Sequence, residues 1–137
     1  MSERMKVLVI DDDEAVARSL QRRLAGHDVV IAGDGRSAVA QVEAAMMGEG
    51  TPFEVVLCDH QMPDVSGAEV LARMRDLPFV PVLVLMSGHD DLGDHAAVAD
   101  GVLLKPFRTS DVLELVAGVK ARKMRATTLR IRSCAAV

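Results

Sequence analysis

The sequence predicts an α/β fold in which five short parallel strands form one sheet and helices connect them. Short apolar, β-branched runs alternate along the chain with segments whose apolar residues recur at helical spacing, which is typical of strands joined by crossover helices. Four of the runs also end in polar residues, namely Asp11-Asp12-Asp13, Asp59, Ser87 and Lys105. Because the carboxyl ends of parallel strands share one edge of a sheet, where ligands bind in such folds, we expect these four stops to lie together.

The elements follow from the local patterns in chain order. Strands are predicted at residues 6–10, 29–32, 53–58, 80–86 and 101–104. Helices are predicted at residues 14–25, 36–47 and 68–76 and from Thr109 or Ser110 onward. The first helix carries Val16, Leu20 and Leu24 on one face and is expected to end at Gly26. The unbroken apolar fourth strand indicates a strand covered on both faces, whereas residues 90–100 give only a weak helical pattern. The tail from Thr127 onward is predicted to be irregular.

Composition limits the function classes. The 137 residues fit one domain, and no apolar run approaches the ~20 residues that would span a bilayer. No secretory leader is visible, so we expect a cytoplasmic protein with no membrane partner.

Six basic residues and no acidic residue lie in residues 120–137. Residues 1–119 then contain 10 basic and 20 acidic residues, a net charge of −10. This acidic body makes nucleic acid an unlikely main ligand. The two cysteines, Cys58 and Cys134, indicate neither a zinc site nor a disulfide framework.

The polar stops suit one kind of chemistry if the first and third strands are neighbours. Asp11, Asp12 and Asp59 would then repel one another, and at least one would keep its proton. A magnesium ion, which prefers oxygen ligands, removes that conflict. Asp59 could attack a phosphorus atom and form an acyl phosphate, while Lys105 and Ser87 could stabilise the transferred group. Taken singly, these residues are equally consistent with a helix N-cap, a surface charge and a turn, so the interpretation depends on the set.

Four segments, VLVIDDDEAV, CDHQMPDVSG, VLVLMSGHDD and GVLLKPF, carry a family resemblance. With them, residues 6–123 resemble the receiver domain of two-component response regulators. The resemblance implies a flavodoxin-like, doubly wound sheet in the order 2-1-3-4-5, with helices on both faces. It also implies a receiver domain at residues 1–123 and a basic C-terminal tail at residues 124–137.

The same resemblance implies the roles of the site residues. Asp59 would be the phosphoacceptor, Lys105 would pair with the phosphoryl group, and Ser87 would take the switch hydroxyl position. Mg²⁺ would be bound by Asp11, Asp12, Asp59 and the backbone carbonyl of Gln61. A histidine kinase or a histidine phosphotransfer protein would donate the group to a bacterial phospho-switch or phosphorelay element without a fused output domain, which acts on an unidentified downstream protein. Such a chain is no enzyme beyond its own phosphotransfer and dephosphorylation.

The sequence departs from the receiver pattern at several positions. Receivers usually have an aromatic residue three positions before the lysine, and here that residue is Val102. The segment between Ser87 and Lys105, which in receivers builds a fourth helix, is about one helical turn short. Gly88 stands where alanine is frequent. Gln61 and His89 occupy positions that in receivers tune how fast the phosphoryl group is lost.

Two other functions fit parts of the pattern. One is a receiver fold that docks partners constitutively and is never phosphorylated. The other is a haloacid-dehalogenase-type phosphatase, which would use Asp11, Asp13, Ser87 and Lys105. That second alternative leaves Asp59 unexplained and lacks the later acidic pair that such enzymes need. The basic tail is interpreted as an extension of the last helix, as a docking segment, or, least favoured, as a nucleic-acid contact.

Overall fold

One five-stranded parallel sheet, in the order β2-β1-β3-β4-β5, forms the centre of the computed structural model. The structure describes residues 4–88 and 93–135, without the side chains of Asp94 and of residues 126–135. The strands are β1 (Lys6–Ile10), β2 (Asp28–Ala32), β3 (Val55–Asp59), β4 (Val82–Ser87) and β5 (Gly101–Leu104). The predicted fold class and strand order are therefore confirmed.

Four α-helices cover the two faces of this sheet. They are α1 (Glu14–Arg23), α2 (Gly35–Met46), α3 (Gly67–Met74) and α4 (Thr109–Ala135). Between β4 and β5 the described residues form only one short 3₁₀ helix, Gly93–Val98. This agrees with the shortened segment expected from the sequence.

Side-chain alternation along each strand divides the apolar core into two layers. Val7 and Val9 of β1 pack toward α1 and α4, whereas Leu8 and Ile10 pack toward α2 and α3. All six residues of β4 are buried, as expected for a central parallel strand that is covered on both faces. The core thus fixes the register in which each strand presents its last residue at the carboxyl edge.

Several element boundaries differ from the prediction for local reasons. The first helix ends at Arg23 with Leu24 as its C-cap, and Gly26 is not among the described glycines with positive φ. Strand β4 begins at Val82, after Pro81, because proline has no N–H group for the ladder. Strand β3 extends through Asp59, so the acceptor candidate is the last residue of the strand.

The last helix corrects the prediction of an irregular tail. Helix α4 continues from Thr109 through Ala135, a length of about 40 Å at 1.5 Å per residue. Residues 120–135 contain neither glycine nor proline and consist mostly of good helix formers, which outweigh the two threonines at 127 and 128. Lys120 Nζ lies 3.2 Å from Glu54 Oε1 and fixes this part of the helix to the body. None of the described helices is both long enough and apolar enough to cross a membrane.

Asp100 connects three elements at the amino edge of the sheet. One carboxylate oxygen accepts a hydrogen bond from Arg75 Nη2 at 2.8 Å. The other accepts from Leu83 N at 2.8 Å and lies 3.2 Å from Lys123 Nζ of α4. Burial alone would raise the pKa of Asp100, but the hydrogen bonds from Leu83, Arg75 and Lys123 outweigh it and lower the pKa.

Candidate functional site

Three carboxylates meet at the carboxyl edge of the sheet. Asp11 follows β1 directly and Asp59 ends β3, and these strands pair with Ile10 opposite Cys58. Carboxylate oxygens of Asp11, Asp12 and Asp59 all lie within 4.8 Å of one another. Asp11 and Asp59 are buried, with 2% and 7% of their surface exposed, whereas Asp12 is exposed. The structure thus brings together the three acidic residues that the sequence identified.

Asp11 has one carboxylate oxygen that the described residues leave without a hydrogen bond. Its Oδ1 accepts from Asp13 N at 2.9 Å, while Oδ2 is buried and accepts no hydrogen bond. Burial raises the pKa of Asp11, and the neighbouring charge of Asp59 adds to that effect. A divalent cation with a preference for carboxylate oxygens fits this arrangement, because it would bind the orphaned oxygen and reduce the repulsion.

Lys105 supplies positive charge to the same cluster from the other side of β4. Its Nζ lies 3.1 Å from Asp59 Oδ1 and 3.9 Å from Asp11 Oδ2. Its backbone N–H donates to the carbonyl of Ser87 at 2.7 Å, which holds the end of β5 against the end of β4. The Lys105–Pro106 peptide bond is cis. The predicted approach of Lys105 to the acidic cluster is therefore present in the structure.

Ser87 is the last residue of β4, which lies between β3 and β5. It is buried, and its register partner on β5 is Leu104, the residue before Lys105. On β3, Asp59 is opposite Met86, the residue before Ser87. The serine thus stands on the same edge as Asp59 and Lys105, as expected from the sequence.

The loop after Asp59 is held tightly against the end of β3. Gly67 N donates to the His60 carbonyl at 2.9 Å, and a Cβ on Gly67 would lie only 2.8 Å from His60 Cα. Only glycine fits this approach of two backbone segments. The Cys58 thiol, whose pKa burial raises, keeps its proton and donates to the Asp59 carbonyl. Gln61 lies in this loop with its side chain exposed, and the metal-binding role of its carbonyl stays a prediction.

Asp13 is turned away from the cluster. Its Oδ1 accepts hydrogen bonds from Ala15 N and Val16 N at 3.0 and 3.4 Å, which makes it the N-cap of α1. The capping interpretation of an acidic stop is thus right for Asp13. The phosphatase alternative needs a free carboxylate at this position, and the structure gives it a capping role instead.

Val102 and the 3₁₀ helix occupy the region where receivers usually carry an aromatic residue and a longer helix. Val102 lies opposite Leu85 and packs into the layer on the α2 and α3 side. The rings of His60 and of His95, which belongs to the 3₁₀ helix, contact each other in a tilted arrangement, with an interplanar angle of 45° and centroids 5.1 Å apart. Burial and the proximity of His95 lower the pKa of His60. His89 lies outside the described residues.

Three features were not found from the sequence. They are the His60–His95 contact, the connecting role of Asp100, and a cleft of about 450 Å³ beside Asp12 that includes Arg36. Each joins residues from separate segments, and only the position of Asp100 immediately before β5 gave a local signal.

Comparisons with known proteins agree with this geometry. Residues 7–117 match the family model described as the response regulator receiver domain. The transcriptional regulatory protein PrrA of Mycobacterium tuberculosis is 40% identical over 122 residues, which are 85% of this chain and 48% of that protein. Response regulator MprA of Mycolicibacterium vanbaalenii is 36% identical over 115 residues, 80% of this chain and 47% of that protein. The chain thus spans about half the length of these relatives.

Solved structures show the same fold. The chemotaxis response regulator CheY4 of Vibrio cholerae superimposes with a TM-score of 0.69 at 28% sequence identity, and covers 85% of this chain and 99% of its own. A CheY-like receiver domain from Methylobacillus flagellatus gives a TM-score of 0.72 at 25% identity, with 85% and 99% of the two chains covered. The family model, the relatives, the strand order and the acidic edge agree, and the chain therefore belongs to the response regulator receiver domains of two-component systems.

Proposed function

We propose that Asp59 accepts a phosphoryl group in a Mg²⁺-dependent reaction and that the chain acts as a phospho-switch or phosphorelay element. The donor would be a histidine kinase or a histidine phosphotransfer protein. The observation that carries this proposal is the buried Asp59 carboxylate, held between the ammonium group of Lys105 and the acidic pair Asp11 and Asp12. A nucleophile, an electrostatic partner and an oxygen-rich cation site thereby share one point of the sheet edge.

Each residue of the site would have a separate role in the transfer of the phosphoryl group. Asp11, Asp12, Asp59 and the Gln61 carbonyl would hold Mg²⁺, which when bound neutralises charge on phosphoryl oxygens. Asp59 forms the new P–O bond while the P–N bond to the donor imidazole breaks and the imidazole leaves with the electron pair. Lys105, already 3.1 Å from Asp59 Oδ1, offers its charge to a phosphoryl oxygen. Ser87 donates its hydroxyl proton in a hydrogen bond to another oxygen.

The group on Asp59 would act as a signal rather than as an intermediate of turnover. A phosphoryl group adds about −1.5 to −2 charge, and that charge biases a two-state equilibrium of the sheet edge. The switch would differ from one based on aromatic rotation, because Val102 has no ring to swing inward. We place the protein in the cytoplasm and its output with a downstream protein. The transcriptional role in the name of PrrA belongs to that longer relative.

Intact mass spectrometry tests the proposal. The protein is incubated with acetyl phosphate, with Mg²⁺ or with a chelator, alongside Asp59→Asn and the control Asp76→Asn, which removes an exposed carboxylate after α3. We expect one phosphoryl group on the wild-type protein and on Asp76→Asn, only with Mg²⁺, and none on Asp59→Asn. No mass gain with any donor would favour a constitutive docking module. Catalytic phosphate release that depends on Asp11 but not on Asp59 would favour a phosphatase.

A further inference from the structure

A cleft of about 450 Å³ opens directly beside the acidic cluster. It lies between the start of α2 and the loop that follows Asp59, and Asp12 lines it as well as belonging to the cluster. A molecule in the cleft would therefore lie next to Asp12, whose carboxylate lies within 4.8 Å of that of Asp59. The function proposed above assigns no role to this space.

Among the described residues, the cleft is lined by one cation and several acidic groups. Asp12, Asp34 and Asp64 line it together with Arg36. Asp34 is already engaged, since its Oδ1 accepts from Ser37 N at 2.7 Å and caps α2. The Arg36 side chain is exposed, and within the described part of the chain it forms no ion pair. Without Arg36 the wall of the cleft would repel any anion.

The remaining wall is apolar. Met62, Pro63 and Val65 of the loop after Asp59, with Gly33 and Gly35 around the start of α2, complete the described lining. A small group with a short apolar part and a carboxylate would match this combination, because the guanidinium binds carboxylates through two parallel hydrogen bonds.

We propose that Arg36 determines which small phosphodonors the site accepts, by binding the carboxylate that leaves an acyl phosphate. This inference rests on the proposed phosphorylation of Asp59. In the reaction, an Asp59 oxygen forms a bond to phosphorus while the bond between phosphorus and the acyl oxygen breaks. The carboxylate leaves with the electron pair, and no proton moves. Negative charge thus grows on the leaving oxygen, where Arg36 stabilises it.

A donor with a neutral leaving group provides the contrast. In phosphoramidate the nitrogen is already protonated, so the P–N bond breaks and ammonia departs without negative charge. Arg36 has nothing to stabilise in that reaction. Its contribution therefore appears in the ratio of the two phosphorylation rates.

The test measures the rates of phosphorylation by acetyl phosphate and by phosphoramidate in Arg36→Gln, Arg36→Lys and Arg73→Gln. Arg73 is an exposed arginine of α3 and controls for the loss of one positive charge. Titration with Mg²⁺, followed by NMR shifts, checks that the cation site is unchanged. We expect Arg36→Gln to lower the rate of phosphorylation by acetyl phosphate roughly three- to tenfold. The rate of phosphorylation by phosphoramidate should stay unchanged. Arg36→Lys should recover part of the loss, and Arg73→Gln should keep the wild-type ratio.

Equal slowing of both donors, or no change with either, would overturn the role of Arg36 while leaving phosphorylation of Asp59 standing. A wild-type protein that accepts a phosphoryl group from neither donor would instead contradict the proposed function, and the inference with it.

Discussion

Asp11 places a buried carboxylate oxygen at the sheet edge without a hydrogen bond from the described residues. Lys105 Nζ is 3.9 Å away and lies closer to Asp59. The raised pKa of Asp11 shows that its surroundings disfavour the ionised form, since burial and the Asp59 charge both act in that direction. The ionised carboxylate of Asp11 therefore lowers the stability of the cation-free protein, and a bound cation would offset that cost.

Asp11→Asn should therefore stabilise the cation-free protein. We expect the free energy of unfolding, measured by urea titration in chelator at pH 7, to increase on the order of 1 kcal/mol. The amide keeps an acceptor for Asp13 N but removes the charge beside Asp59. Asp12→Asn is the matched control, because Asp12 is exposed and its loss should change the cation-free stability little. Both variants should lose most of the stabilisation by Mg²⁺. If Asp11→Asn proves less stable than the wild type, the folded wild-type protein favours the ionised form of Asp11, contrary to this prediction.

At the scale of elements, Asp100 holds α3, β4 and α4 together far from the acidic edge. It accepts from Leu83 N at the start of β4 and pairs with Arg75 and Lys123. Arg75 also donates to the Val98 carbonyl at 2.9 Å, which fixes the end of the 3₁₀ helix. One carboxylate thus ties the end of α3 and the start of β4 to the middle of α4.

Asp100→Asn should destabilise the protein by about 1–3 kcal/mol at neutral pH, because an amide cannot replace both ion pairs. The pKa of Asp100 is lowered from its ordinary value of 3.8, so the folded protein favours the ionised form. This stabilisation is complete above pH 3.8 and is lost as the pH falls through the folded pKa. The difference between wild type and variant should accordingly shrink below about pH 4. Urea unfolding at a series of pH values measures it, with Asp76→Asn as the control. A difference independent of pH would contradict the ionic role.

At the scale of the molecule, side chains in the middle of α4 hold this helix to the body of the domain. Lys120 and Lys123 bind Glu54 and Asp100. Beyond them, the helical backbone continues to Ala135 on a sequence that is rich in helix formers. The acidic cluster of Asp11, Asp12 and Asp59 lies at the opposite edge of the sheet, so the extension and the cluster should be separable.

Ala126→Pro should remove helical signal in far-UV circular dichroism that corresponds to roughly the last ten residues, because proline costs about 3 kcal/mol inside a helix. Ala126→Gly, with a cost of about 1 kcal/mol, should lose less. Both variants should gain a phosphoryl group from acetyl phosphate at the wild-type rate. An unchanged spectrum in Ala126→Pro would show that the extension is not helical in solution.

The sequence predicted the fold and the central site because both depend on local patterns. Apolar runs defined the strands, and the polar residue after each run defined Asp11, Asp59, Ser87 and Lys105, which a parallel sheet must align. The strand order came from the family resemblance. The Arg36 cleft, the His60–His95 contact and the Asp100 connections depend on which loops and helix ends meet, and sequence spacing does not specify that. The prediction of an irregular tail from Thr127 onward was wrong, because that segment lacks an apolar stripe although its residues favour a helix, whereas the interpretation of the basic tail as an extension of the last helix was right.

The pair Lys105–Asp59 joins residues 46 positions apart, of which Asp59 ends β3 and Lys105 follows β5, and β4 runs between these two strands. A slip of one residue in the register of β3, β4 or β5 would turn the acceptor or the lysine to the opposite face. No fragment that lacks β3, β4 or β5 can therefore reproduce the site. The proposed phosphorylation of Asp59 would therefore report correct long-range assembly, because misfolded or partly folded molecules would not accept the phosphoryl group.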